Sequence, residues 1–377
     1  MAAKTRTNYQ HEGGLQDALI DLVRVGMAGY GPGVRQIASR LLRSLPPEVH
    51  ESEEFRGMLR EVLSAASPAH ALRFAPGEVP QDAETNTLVD VDPNPSGAAL
   101  VLAPAAMSEL EEIVAERERS DELERAGITP TRALLLSGEP GVGKTLAARW
   151  LAEKIGVPLV SLDLASVVSS YLGSSGRNIK SVLEYAQSGP CVLLLDEFDA
   201  VAKRRDDDTD VGELKRIVNV LLVELDKWSS TSLLVAATNH PQLLDPAINR
   251  RFDRSIELQV PTLRERKIIL QNLANGSASS KVIDVMAEVT TDETGSGLSR
   301  LWGTILRRSV LHGTPVDDEV IRAALVKNPE SGKSRDLAWH IASQDLNLSA
   351  RQIAQLAGVT HPTVTAALRR IKGSENG

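Results

Sequence analysis

Apolar positions follow three regimes along the chain. In the first 67 residues they recur at helical spacing (Leu15, Leu19, Leu22 and Val23; Val34, Ile37, Leu41 and Leu42; Phe55, Leu59 and Leu63), broken at Gly31-Pro32-Gly33 and Pro46-Pro47. That pattern predicts a small helical module over residues 1–75. Residues 76–99 hold Pro76, Pro80, Pro93 and Pro95 with little periodicity, and read as a linker. Over residues 100–261 short β-type runs at 133–136, 159–162, 192–195, 233–237 and 256–260 alternate with amphipathic helical stretches. Five such runs predict an α/β fold with a parallel five-stranded sheet covered by helices on both faces. Helical spacing returns at 264–273, 281–289, 298–311 and 317–327, which predicts a helical region over 262–328. A polar break at 328–334 precedes a last helical segment, 333–377.

Charge narrows the function classes. Lys and Arg number 42 against 50 Asp and Glu, a net charge of −8, which argues against coating nucleic acid through bulk positive charge. Twelve aromatic residues serve all 377 positions, so the core is expected to be aliphatic. The single cysteine, Cys191, has no partner for a disulfide within the chain, as suits a reducing compartment. The first fourteen residues are polar, with no secretory h-region, and no apolar run approaches the roughly 18 residues of a membrane span. The expected location is the cytoplasm, with no membrane partner.

The chemistry concentrates at the ends of the apolar runs. Gly138-Glu139-Pro140-Gly141-Val142-Gly143-Lys144-Thr145 fits G-x-x-x-x-G-K-[ST], follows a β-type run, and continues from Leu146 as a helix. Glycines there let successive backbone N–H groups converge on phosphate oxygens, and the helix N-terminus adds a favourable dipole. Lys144 is expected to neutralise the β- and γ-phosphates and Thr145 to ligate Mg²⁺. Asp196-Glu197 ends the apolar run 192–195, where open α/β sheets bind ligands. Asp196 is expected to hold Mg²⁺, and Glu197 to orient and deprotonate an attacking water.

With Ala236-Ala237-Thr238-Asn239 on the fourth run, and Leu244-Asp245-Pro246-Ala247-Ile248-Asn249-Arg250-Arg251-Phe252-Asp253-Arg254 after it, the chain resembles the AAA+ ATPases, and more narrowly their protein-remodelling AAA subfamily, over residues 102–327. The resemblance implies a P-loop ATPase core over 100–261, a helical lid over 262–328, and a homo-oligomeric ring, usually a hexamer, with ATP between neighbours. It implies that Asn239 helps position the attacking water and that Arg250 and Arg251 are arginine fingers reaching a neighbour's γ-phosphate, where a guanidinium stabilises charge without proton transfer. Tyr171-Leu172-Gly173 resembles the pore loop that grips an extended polypeptide client. Gly297-Leu298-Ser299-Arg300 departs from the remodelling subfamily: its G-x-x-R spacing is that of the second sensor arginine of initiator and clamp-loader ATPases, so Gly297 and Arg300 join the nucleotide-binding set.

Residues 333–377 carry a net charge of +3 against −11 for the remainder. Within them, residues 353–368 resemble a helix-turn-helix, with Gly358 at the turn and Val364 and Leu368 anchoring the second helix. Its outer face is expected to present His361, Thr363, Thr365, Arg369 and Arg370 to duplex DNA. Two readings of the whole follow: an ATP-driven ring that remodels or threads a protein client and is recruited to DNA by this segment, or a DNA-bound ATP switch of the initiator or loader type.

Overall fold

The structure, a computed structural model, describes residues 79–82, 86–97, 99–170, 175–201, 211–327, 332–345 and 347–375. The helical module expected over residues 1–75 lies outside the described residues, as does the expected pore loop Tyr171, Leu172 and Gly173.

Six strands, β1 (Asp90–Asp92), β2 (Ala133–Gly138), β3 (Leu159–Asp163), β4 (Val192–Asp196), β5 (Leu233–Thr238) and β6 (Arg254–Leu258), form one sheet in the order β1-β3-β4-β5-β2-β6. Strands β3 and β4 pair in parallel with Leu159 opposite Val192, and β4 pairs in parallel with β5 with Val192 opposite Leu233. Leu193, Leu194 and Leu195 are all fully buried, which is why β4 reads as a continuous apolar run without alternation. All five expected strands are present, the last shifted to Arg254–Leu258 from the expected 256–260.

The sheet has six strands where five were expected, because the stretch read as a linker supplies β1. It pairs antiparallel with β3, Val91 opposite Val160. The approach is closed by a bridge between Gln81 and Thr87 and by Leu88 N–H donating to Pro80 O at 2.9 Å, and Val89 is buried. Prolines cannot donate to a ladder, so the proline-rich stretch contributes only a three-residue edge strand.

Between the strands run helices α1 (Pro104–Glu118), α2 (Ser120–Arg125), α3 (Lys144–Ile155), α4 (Leu164–Ser170), α5 (Ser175–Gln187), α6 (Val211–Asp226) and the single turn α7 (Pro246–Asn249). The described residues divide into two compact units, one within residues 79–97, 111–136 and 145–255, the other within residues 99–110, 137–144 and 256–375. In the first, Ile179, Val182, Leu183 and Ala186 form one face of α5 at i, i+3, i+4 and i+7 and share a core with Ile217, Leu221 and Leu225 of α6. Burial of each of these Ile, Val and Leu side chains contributes about 1.5–3 kcal/mol.

The second unit is helical beyond the sheet: α8 (Leu263–Ala274), α9 (Ser280–Val289), α10 (Gly295–His312), α11 (Val316–Lys327), α12 (Gly332–Asp345), α13 (Ala350–Ala357) and α14 (His361–Glu375). Capping explains several boundaries. Thr262 N–H donates to Glu265 at the start of α8, and Thr294 caps α10 by accepting from Gly297 N–H. Ser349 and Gln352 form a capping box on α13, and Gly313 closes α10 in the left-handed conformation.

Candidate active site

The phosphate-type loop between β2 and α3 takes backbone conformations that favour glycine. Gly138, Gly141 and Gly143 have φ of 141°, 84° and 113°. A Cβ on Gly138 would lie 2.2 Å from Leu258 O, and one on Gly141 would lie 2.2 Å from Ser296 Oγ. The loop therefore needs glycine both for its turn and for the backbone and side chains packed against it. Lys144 is buried, its ammonium donating to Gly138 O at 2.8 Å and Glu139 O at 3.0 Å. Ser296 N–H, at the start of α10, donates to Gly141 O at 3.1 Å.

At the start of α3, Thr145 Oγ1 donates to Asp196 Oδ2 at 2.9 Å. A hydroxyl and a carboxylate side by side are hard oxygen donors of the kind Mg²⁺ takes, and two protein ligands suit a cation that keeps several waters and binds substrate phosphates. Glu197 follows β4 in the left-handed conformation with φ 52°, and its exposed carboxylate accepts from Asn239 Nδ2 at 3.4 Å. The structure thus brings together Thr145 with Asp196, and Glu197 with Asn239.

One residue was missed in the sequence. Asp199, two positions beyond Glu197, is buried, and its Oδ1 accepts from Thr238 Oγ1 and Asn239 N–H, both at 3.2 Å. It pins the end of β5 and so aims Asn239 at Glu197. The third acid in Asp196-Glu197-Phe198-Asp199 was the available signal.

The arginine pair is unequal. Asp245 caps α7 through Ala247 N–H at 2.8 Å, with Pro246 at its first position, so Leu-Asp-Pro-Ala is a helix start. Arg251 is tied back within the chain, with Nε donating to Asp226 Oδ1 at 3.1 Å, Nη2 to Asp226 Oδ2 at 3.3 Å and Nη1 to Ala247 O at 2.8 Å. Arg250 is exposed and its guanidinium has no partner among the described residues. Phe252 then meets Phe198 edge-on, ring centroids 5.8 Å apart, which anchors the arginine segment beside Glu197.

Arg300 lies in the second turn of α10, exposed, with no guanidinium partner among the described residues. Gly297 is buried against Glu293. On α14, His361 and Arg369 are exposed, Thr363 is half-buried with its Oγ1 2.7 Å from Thr360 Oγ1, and half-buried Thr365 donates to His361 O at 3.0 Å. Arg370, expected free on that face, instead donates from Nε and Nη2 to Asp336 Oδ2 at 2.9 and 2.6 Å. Asp336 is buried while Arg370 stays exposed, so the guanidinium lies over a carboxylate that would be costly to leave unpaired and is held to α12.

Residues 134–260 match the model of the ATPase family associated with various cellular activities (AAA). With the six-stranded sheet and the phosphate-type loop at the end of β2, they are an AAA ATPase domain of the P-loop NTPase fold. The chain is 40% identical over 171 residues to an uncharacterized AAA family ATPase, y4kL, of Sinorhizobium fredii, a match covering 45% of this chain and 52% of that one. It is 34% identical over 255 residues to the ATP-dependent zinc metalloprotease FtsH of Corynebacterium glutamicum, covering 65% and 28%. It is 34% identical over 244 residues to the proteasome-activating nucleotidase of Methanothermobacter thermautotrophicus, covering 58% and 60%. The chain therefore spans between about a quarter and three-fifths of the length of these curated relatives. No helix among the described residues is long and apolar enough to cross a membrane.

Proposed function

We propose that the protein hydrolyses ATP with Mg²⁺ and couples hydrolysis, as a homo-oligomeric ring of hexamer type, to remodelling or threading of a protein client. The carrying observation is Glu197, set on the end of β4 and held toward Asn239 beside the Thr145–Asp196 pair. In this reading Gly138 to Leu146 receive the triphosphate, Lys144 neutralises its β- and γ-phosphates, and Thr145 with Asp196 holds the cation. Mg²⁺ supplies neutralisation of charge on the transferring phosphoryl group. Glu197 accepts the proton of the attacking water, Asn239 orients that water, and Arg250 stabilises the γ-phosphate charge of a neighbouring subunit with Arg251 as its support.

The names of the relatives, a metalloprotease that depends on ATP and a nucleotidase that activates a proteasome, support a polypeptide client. Tyr171, Leu172 and Gly173 are the proposed grip on it. Recruitment to duplex DNA by α13 and α14 is the finer part of the proposal, supported by the left-handed Gly358 between two short helices and by exposed Arg351 and Arg369 on a positively charged segment. The initiator-like switch is the rival reading, supported by exposed Arg300.

The test is co-purification with Glu197→Gln in ATP. Wild-type protein should turn over ATP, and the variant should bind it while turning over at least about 100-fold more slowly and retaining a polypeptide that wild type releases. Absence of turnover in wild type removes the enzyme. Turnover with no retained polypeptide removes the remodelling reading and favours the switch.

A further inference from the structure

A segment of 45 residues rarely buries enough apolar surface to hold a core alone, so a free-standing module over residues 333–377 would be marginal. In the second unit the described residues of this segment share one apolar cluster with the helices before them. Trp339 and Ala342 of α12, Ile353 of α13 and Val364 of α14 belong to the same apolar cluster as Val320 and Leu325 of α11. That cluster continues through Met286 of α9 to Leu298 and Trp302 of α10.

The joints within it are short. Gly358 turns the chain in the left-handed conformation between α13 and α14, and Val359 N–H donates to Ala354 O at 3.0 Å. Arg370 of α14 grips Asp336 of α12 through two nitrogens. At the other end of the unit, the first turn of α10 rests on the phosphate-type loop through Ser296 N–H and Gly141 O.

We propose that α12–α14 are a rigid extension of the nucleotide lid, so that nucleotide on the Gly138–Thr145 loop is felt at the surface of α13 and α14. Coupling of this kind travels through packed helices that open as one cooperative unit. The inference rests on the proposed reading of the loop as the ATP site.

The test is amide hydrogen exchange on full-length Glu197→Gln with and without ATP and Mg²⁺, with ATP affinity measured separately. Bound ATP should slow exchange about tenfold in α12–α14 in step with α10 and α11. ATP bound with α12–α14 exchanging as in its absence overturns the inference and leaves the ATPase reading standing. Failure of ATP to bind removes the site reading, and this inference with it. Arg370→Ala, which deprives Asp336 of its two-pronged partner, supplies a second arm without nucleotide. Faster exchange in α10 as well as in α12–α14 is expected, and acceleration confined to α12–α14 overturns the shared unit.

Discussion

Glu197 occupies a conformation that a non-glycine residue adopts at a cost of about 1–2 kcal/mol, and it does so one step beyond a buried strand. The position serves the carboxylate: Glu197 N–H donates to Asp196 Oδ1 at 2.9 Å while the side chain stays exposed toward Asn239. Strain held at a working residue predicts a separable outcome. Glu197→Gly and Glu197→Ala remove the same carboxylate, so ATP turnover should be lost in both, yet the glycine variant should be the more stable by about 1 kcal/mol. Chemical denaturation of the two purified variants checks this, and equal stability would remove strain from the account. Lys144 answers to a different step, since its ammonium already lies against the loop carbonyls. Lys144→Ala should lose ATP binding itself, whereas Glu197→Gln loses only turnover; equilibrium binding of labelled ATP distinguishes them.

Among the elements, α1 shows how charge fixes a helix end. Arg117, in its last turn, donates to the carbonyls of Thr131, Ser230 and Ser232, and burial lowers its pKa to about 10. Beside it, Glu116 accepts from Thr131 N–H at 2.7 Å and pairs with Arg254. Burial pushes the Glu116 carboxyl up, but the Thr131 hydrogen bonds and Arg254 outweigh it and hold the pKa below the ordinary 4.5. A carboxyl depressed in the folded state contributes stability above its unfolded pKa and loses it as pH falls through the folded value. Glu116→Gln should therefore cost stability at pH 7, with the deficit closing below about pH 4.5. Urea midpoints for both proteins across that window provide the check, and a deficit independent of pH would assign the loss to shape instead of charge.

The elements also show what was legible beforehand. Strands β2 to β5 were readable because a strand buried on both faces is apolar throughout, and the helices beyond Pro261 because one face of each is buried at helical spacing. Strand β1 was not, since Asp-Val-Asp between prolines carries no pattern and acquires its state only from β3. The inequality of Arg250 and Arg251 depends on Asp226, 25 positions away. Likewise the apolar faces of α12 to α14 were visible, but a hydrophobic pattern says which side is buried and not against what; that the answer is the cluster shared with α9 to α11 appears only in the fold.

For the whole molecule, the proposed completion of the site by a neighbour makes turnover a property of the assembly. Arg250 is exposed and unpartnered among the described residues, while Arg251 is occupied by Asp226 and Ala247, so Arg250 is the arginine available to a second subunit. An arginine supplied in trans is worth about 10³–10⁵ in turnover. Arg250→Ala should accordingly keep ATP affinity within a few-fold of wild type while losing at least about 10³ in rate. Lys144→Ala subunits lack nucleotide but carry an intact Arg250. Mixed with Arg250→Ala subunits, they create interfaces that pair an intact phosphate loop with an intact arginine, so steady-state ATPase activity should pass through a maximum as the ratio is varied. Arg251→Ala should behave differently, lowering stability together with rate because Asp226 loses its partner. Wild-type turnover in Arg250→Ala would exclude it as the stabilising charge, and a rate that runs linearly between those of the two pure variants, without a maximum, would place every catalytic group within one subunit.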